Sequence, residues 1–248
     1  MKCLSFKILL LFISINISAQ KEGIDSLKQI IHQQKGDTSE VKALYSLAYK
    51  GQDSALSYIQ RALILAQKLK YKRGEADCFL IKGSIMYYKD VSETIQNAIN
   101  ALNIYEELNY IPGIIAAHGA LQGSYREIAD YKNALSHAFE GLRIAKDNNA
   151  TEGIFFMQGQ KIAAALEAEI SQTYLLMKKL DSAKHYAEQA INERQLFNGA
   201  QWNFPVYLLA TIQNIRGNYK AALDEYRYTI PLAVQNGIFR DTLQIFSG

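Results

Sequence analysis

Leu121-Gln122-Gly123-Ser124-Tyr125, followed after three residues by Ala129-Asp130-Tyr131-Lys132-Asn133-Ala134-Leu135, is the stretch that decides the fold. Apolar and small residues on either side of Ala129-Asp130 recur at i, i+3, i+4 and i+7. This is the period of two helices separated by a tight turn. The phrase returns along the chain as a turn, a small residue followed by a hydrophobe, and a second such pair seven residues later. It reads Asp53-Ser54-Ala55-Leu56 with Ala62-Leu63, Val91-Ser92-Glu93-Thr94-Ile95 with Ala101-Leu102, and Ala134-Leu135 with Gly141-Leu142. It continues as Leu180-Asp181-Ser182-Ala183 with Ala190-Ile191, and Tyr219-Lys220-Ala221-Ala222-Leu223 with Thr229-Ile230. The first small residues stand at 55, 94, 134, 183 and 222, in steps of 39, 40, 49 and 39. A step this regular marks a repeat, and the helical period of each unit makes the chain all-α.

Small residues at fixed places have a physical reason. Two antiparallel helices, and the first helix of the next unit, approach closely only where Ala, Gly or Ser replaces a large side chain. Tyr125 and Tyr174, each nine residues before a small anchor, are expected to fill the wedges between helices. The same need accounts for 16 tyrosines beside a single tryptophan.

These residues resemble the tetratricopeptide repeat, a helix-turn-helix unit with small residues in both helices and Gly-Asp/Asn-Tyr at the turn. Leu121 to Leu135 is the best copy, and Arg216-Gly217-Asn218-Tyr219 the clearest turn. The resemblance implies a right-handed α-solenoid over residues 38–248, of about five repeats and a C-terminal half-repeat, Asn236 to Phe246. The family's early tryptophan is absent, and the second unit lacks a glycine before Asp90. The long step and segments such as Ile104-Tyr105-Glu106-Glu107-Leu108 are similar to exported sensor and regulator proteins of Bacteroidetes. Residues 20–37 are expected to cap the array, with Ile24, Leu27, Ile30 and Ile31 on one stripe and Asp25 or Ser26 as N-cap. The 49-residue step places an insert near Thr151–Gly159 whose Ile-Phe-Phe-Met run is expected to pack against a neighbouring helix.

Before the repeats, Lys2 and Lys7, the apolar run Ile8 to Ile17 and small residues ending at Ala19 have the order of a secretory signal peptide, residues 1–19. The run is too short to span a bilayer. Its removal leaves 248 − 19 = 229 residues and a charge of (27 − 2) − 24 = +1. That balance argues against nucleic acid as a partner. No later segment is apolar enough to cross a membrane, so the periplasm is the expected destination, with the extracellular space as the alternative. Cys78 is then the only cysteine, and it is expected to be a small core residue.

Chemistry is hard to find in the residues. His137 with Glu140, and His185 with Glu188, have the i, i+3 spacing of two metal ligands, but no third ligand follows, and solvated faces of second helices account for them. Glu106-Glu107, and Glu167 with Glu169, are too close in sequence to face one another on a helix. We therefore expect no catalytic residue, no metal and no cofactor. The expectation is a scaffold that binds a protein or peptide with its first helices. Their inward stripe is read as Leu80, Ser84, Tyr87 and Tyr88, then Arg126 and Glu127, then Glu169, Gln172 and Leu176, and finally Tyr207, Thr211 and Asn214. Tyr87, Tyr88, Arg126, Glu127, Gln172, Tyr207 and Asn214 are the groove candidates. Flat apolar surface with hydrogen-bonding groups suits an extended peptide. The alternatives are a self-associating structural protein of the envelope, or a helical metal enzyme.

Overall fold

The computed structural model describes residues 23–51, 54–151, 153–155, 162–195 and 204–235. The signal-like residues 1–19, most of the insert after Thr151 and the half-repeat from Asn236 lie outside the described residues. Every described element but a single-residue 3-10 position at Phe155 is an α-helix: α1 (23–32), α2 (Thr38–Tyr49), α3 (Ala55–Lys68), α4 (Lys72–Met86) and α5 (Val91–Glu107). Then follow α6 (Ile111–Glu127), α7 (Tyr131–Asp147), α8 (Ile162–Leu176), α9 (Leu180–Gln195), α10 (Phe204–Ile215) and α11 (Tyr219–Gln235). Asp25 and Ser26 lie inside α1 and not before it, and Ile24, Leu27, Ile30 and Ile31 are its half-buried residues. The chain forms two compact units, Met1–Ile104 and Tyr105–Gly248.

The repeat phrase begins each second helix. Its anchors stand in one register, with a buried position four, seven and eleven residues further on: Ile59, Ala62 and Ala66 in α3, Ala98, Ala101 and Tyr105 in α5, Ala138, Gly141 and Ala145 in α7. Thr94, Ala134, Ala183 and Ala222 are buried as anchors, whereas Ala55, the first residue of its helix, is half-buried. Close approach is visible where small residues meet. The Thr94 hydroxyl donates to the Gly83 carbonyl at 3.1 Å, and the Ser171 hydroxyl to the Ala183 carbonyl at 2.7 Å. A side chain of one hydroxyl length reaches the facing backbone only when the helices almost touch.

The turns explain the recurring residues between helices. After α6, Ala129 takes a left-handed φ of 58°, its N–H donates to the Arg126 carbonyl, and the N–H of Asp130 donates to the Tyr125 carbonyl at 2.9 Å. The turns after α8 and α10 repeat this pattern, with Lys178 at φ 58° and Gly217 at φ 79°. It is the paired closure that satisfies the last carbonyls of a helix. Asp130 then caps α7 by accepting from the Asn133 N–H at 3.2 Å. The α4–α5 turn closes differently: both Lys89 and Asp90 donate to the Met86 carbonyl at 2.8 Å, with no left-handed residue.

Within the first unit, α2 packs on α3 and α4, and α3 on α4. Within the second, α6 pairs with α7, α8 with α9 and α10 with α11, while α7 lies on α8 and α9 on α10. The first helices also touch, α6 with α8 and α8 with α10. The core around α6–α8 is built on Ile115, Ala138, Leu142, Ile162, Leu166 and Ile170.

Candidate functional site

The first helices of the second unit meet through polar side chains. Gln122 of α6 donates to the Thr173 hydroxyl of α8 at 3.5 Å, and one turn along each helix the Arg126 guanidinium pairs with the Glu169 carboxylate. Gln122 and Thr173 are buried; Arg126, Glu169 and Gln172 are half-buried, and Glu127 is exposed. Of the stripe predicted for the third and fourth repeats, Arg126 and Glu169 are brought together, their charges spent on each other, while Glu127 and Leu176 are exposed. On α10, Tyr207 and Thr211 turn to Tyr226 of α11: the two rings are 6.1 Å apart, and the Thr211 and Tyr226 hydroxyls lie within 3.3 Å. Burial raises the Tyr207 phenol above its ordinary pKa. Asn214 is exposed one turn beyond Thr211.

In the first unit the predicted stripe divides. Leu80 is buried and belongs to the core instead of an open surface, since α2 and α3 both cover α4. Ser84 bonds back to the Ile81 carbonyl at 2.7 Å, as hydroxyls within helices do. Tyr87 and Tyr88 meet edge to face at 4.9 Å, and Tyr88 stands out with 90% of its surface exposed. Cys78 is buried, and burial beside Asp77 and Glu75 pushes its thiol well above the ordinary range. A second polar centre, not foreseen from the sequence, joins α2 to α4. The Tyr45 hydroxyl is hydrogen-bonded to buried Asp77, and burial together with that carboxylate raises the phenol far above its usual pKa. A Tyr and an Asp separated by 32 residues leave no spacing signal; only the packing of α2 on α4 joins them.

The histidines need a correction. His137 does not lie on a solvated face: it is half-buried, its Nδ1 lies 3.0 Å from the Nδ1 of buried His118 on α6, and Tyr125 stacks on its ring at 5.5 Å. Tyr125 thus fills the wedge between α6 and α7. Tyr174 repeats the contact one unit on by stacking on Tyr186, the residue three places after its anchor as His137 is three after Ala134. Burial, then the neighbouring His137, pushes the His118 imidazole down to about 4, with Glu140 acting in the opposite sense. Glu140 is itself held low by the Arg143 guanidinium, which it accepts from at 2.5 and 3.0 Å. With one ring donating to the other, the pair is a neutral internal contact. His185 is exposed. Among the described residues no group of three or more His, Cys, Asp or Glu is placed to hold a metal ion. Glu167 and Glu169 point to different cations, Lys146 of α7 at 2.8 Å and Arg126 of α6. Two carboxylates so divided do not form an acid/base pair.

No family model matches the chain, and neither does any curated protein. Solved structures do. The chain is similar to BtubC (BKLC) from P. vanneervenii at 15% identity and a TM-score of 0.66, over 89% of this chain and 91% of that one. It is similar to NprR in complex with its cognate peptide NprX at 18% identity and a TM-score of 0.66, over 92% of this chain and 65% of that one. The nearly identical TPR-like repeats of a putative kinesin light chain from Podosopora anserina match at 13% identity and a TM-score of 0.55, over 79% of this chain and 96% of that one. These likenesses show the fold, an all-α solenoid of tetratricopeptide-like helix pairs. Among the described residues no helix is long and apolar enough to cross a membrane.

Proposed function

We propose that the chain is an exported, non-catalytic scaffold that binds an extended protein or peptide segment along the first helices of its second unit. The observation that carries this reading is the row α6, α8, α10, on which Arg126 and Glu169 meet between α6 and α8 and Gln172 and Tyr207 are likewise half-buried. Half-burial matters: a hydrogen bond made there to a peptide backbone is shielded from water, and the side chains are already ordered. The Arg126–Glu169 pair uses one guanidinium nitrogen and leaves the rest of the fork to a ligand carbonyl or carboxylate. NprR, which shares the fold, is seen with a peptide bound, and this supports the same use here. Residues 1–19 support export, with the periplasm as destination and a place in a sensing system as its use.

The test is selection of peptides from a displayed random library by the immobilised protein, run in parallel with an Arg126→Ala, Gln172→Ala variant. Peptides enriched by the native chain and lost from the variant support the site. Equal enrichment by both moves binding away from these helices. Export is checked separately, by finding the mature N-terminus at Gln20 in a periplasmic fraction.

A further inference from the structure

Each turn joining a first to a second helix in the second unit places a large apolar side chain in water. Ile128 after α6 is 53% exposed, Leu176 at the end of α8 49%, Ile215 at the end of α10 56%, and Tyr219 at the start of α11 70%. Single exposed hydrophobes are ordinary, but recurrence at one place of a repeat is not. These turns lie at one edge. Arg216 of the α10–α11 turn pairs with Asp181 of the α8–α9 turn at 2.5 Å. At the far ends of the helices, Ile111 and Ile162, the first residues of α6 and α8, share a core cluster.

The same edge is basic. Lys132, Lys178, Lys179 and Lys220 are exposed there and form no ion pair with another described residue. Of its carboxylates, Asp181 is tied to Arg216 and Asp130 to the start of α7, which leaves Glu127. At the other end of α6 the turn is acidic, with exposed Glu106 and Glu107 beside Leu108. In the first unit the same adjacency follows the first helices, with exposed Tyr49 before exposed Lys50 and exposed Tyr88 before exposed Lys89.

We infer that the edge formed by the α6–α7, α8–α9 and α10–α11 turns docks on an anionic lipid surface. Isolated apolar tips on helix ends, each with lysines beside it, suit a planar surface with anionic headgroups over hydrocarbon, where the tips enter and the amines stay among the phosphates. A second copy meeting the same edge would set lysine against lysine. A bound peptide would be gripped along the helices, not at their ends. The edge is distinct from the row proposed to bind peptide, so either proposal stands without the other.

The experiment is co-sedimentation with vesicles of phosphatidylcholine alone and of phosphatidylcholine mixed with phosphatidylglycerol. It uses the full chain and the form beginning at Gln20, so that the apolar run at 8–17 does not itself provide attachment. Binding is expected on the mixed vesicles and to weaken with salt. Lys178→Gly is the sharpest variant. It relieves the left-handed φ of 58° and is expected to melt no lower than the native chain, yet to bind about fivefold more weakly for the lost charge. Ile128→Ser with Ile215→Ser is expected to abolish most binding, and Leu108→Ser to leave it unchanged. Equal binding to neutral vesicles, or equal binding by Lys178→Gly and the Ile variant, overturns the inference. So does a dimer in light scattering that the Ile variant dissolves while vesicles capture nothing.

Discussion

Helix α6 meets two neighbours in opposite ways. Toward α7, its partner within the repeat, it presents His118 as a buried neutral ring against His137, and a Cβ added at Gly141 of α7 would lie only 3.3 Å from the His118 Cβ. Toward α8, the first helix of the next repeat, it presents buried Gln122 to Thr173 and, one turn on, Arg126 to Glu169, a pair half in water. The inner contact is set by shape and dryness, the outer one by charge. Repeats of this kind hold together through the first and are left able to recognise something through the second.

The largest effect expected is from breaking the inner contact. Gly141 lies between His118 of α6 and Leu166 of α8, where an added Cβ would already be 3.6 Å from the Leu166 side chain, so a leucine there displaces both. Gly141→Leu is expected to lower unfolding stability by about 3 kcal/mol in urea titrations. A cost near zero would mean that the hairpin is not closely packed there.

Next in size is a response to acid. The folded state holds His118 near 4, below its unfolded value of 6.5, so above pH 6.5 both states are neutral and nothing is lost. As pH falls through that window the unfolded chain takes a proton that the folded chain refuses. Stability should therefore fall by about 2 kcal/mol between pH 7.5 and 5. His137 is shifted the same way by burial and adds to the loss. His118→Asn should flatten the profile over this range, measured by urea midpoints at both pH values. An unchanged slope would place the acid sensitivity elsewhere.

The sequence carried the hairpins because close packing leaves a periodic trace: Ala134, Ala138, Gly141 and Ala145 are legible as one stripe. The Asp130 cap and the buried anchors could be read in the same way. Asp37 with Glu40 could have been read and was not, although Asp37 accepts from the Ser39 and Glu40 N–H groups and Glu40 accepts from Gly36, a reciprocal cap with a known spacing. The site was legible only as a list of positions on one helical stripe. Nothing in the order of residues said that Arg126 would find Glu169 across 43 residues, that Leu80 would be covered, or that His137 would turn inward to His118. Such contacts depend on how one helix pair settles on the next, which has no period along the chain.

The smallest expected effect on stability belongs to the outer contact, and its smallness is informative. Arg126 and Glu169 keep 17% and 34% of their side-chain surface in water, so their attraction is weakened by solvent and offset by the ordering of two long side chains. Arg126→Met keeps an unbranched apolar stem at this half-buried position and removes the charge. It is expected to cost less than about 1 kcal/mol, and that cost should shrink with added salt. The neutral partner change Glu169→Gln in the same background should then cost almost nothing more, since the pair is already broken. If Arg126→Met instead costs about 3 kcal/mol, the carboxylate it leaves behind is effectively buried. The pair would then be part of the framework, and the first-helix row would have little freedom to exchange it for a ligand. A cost below 1 kcal/mol together with lost peptide selection would place the charge of α6 on the recognition side of the comparison.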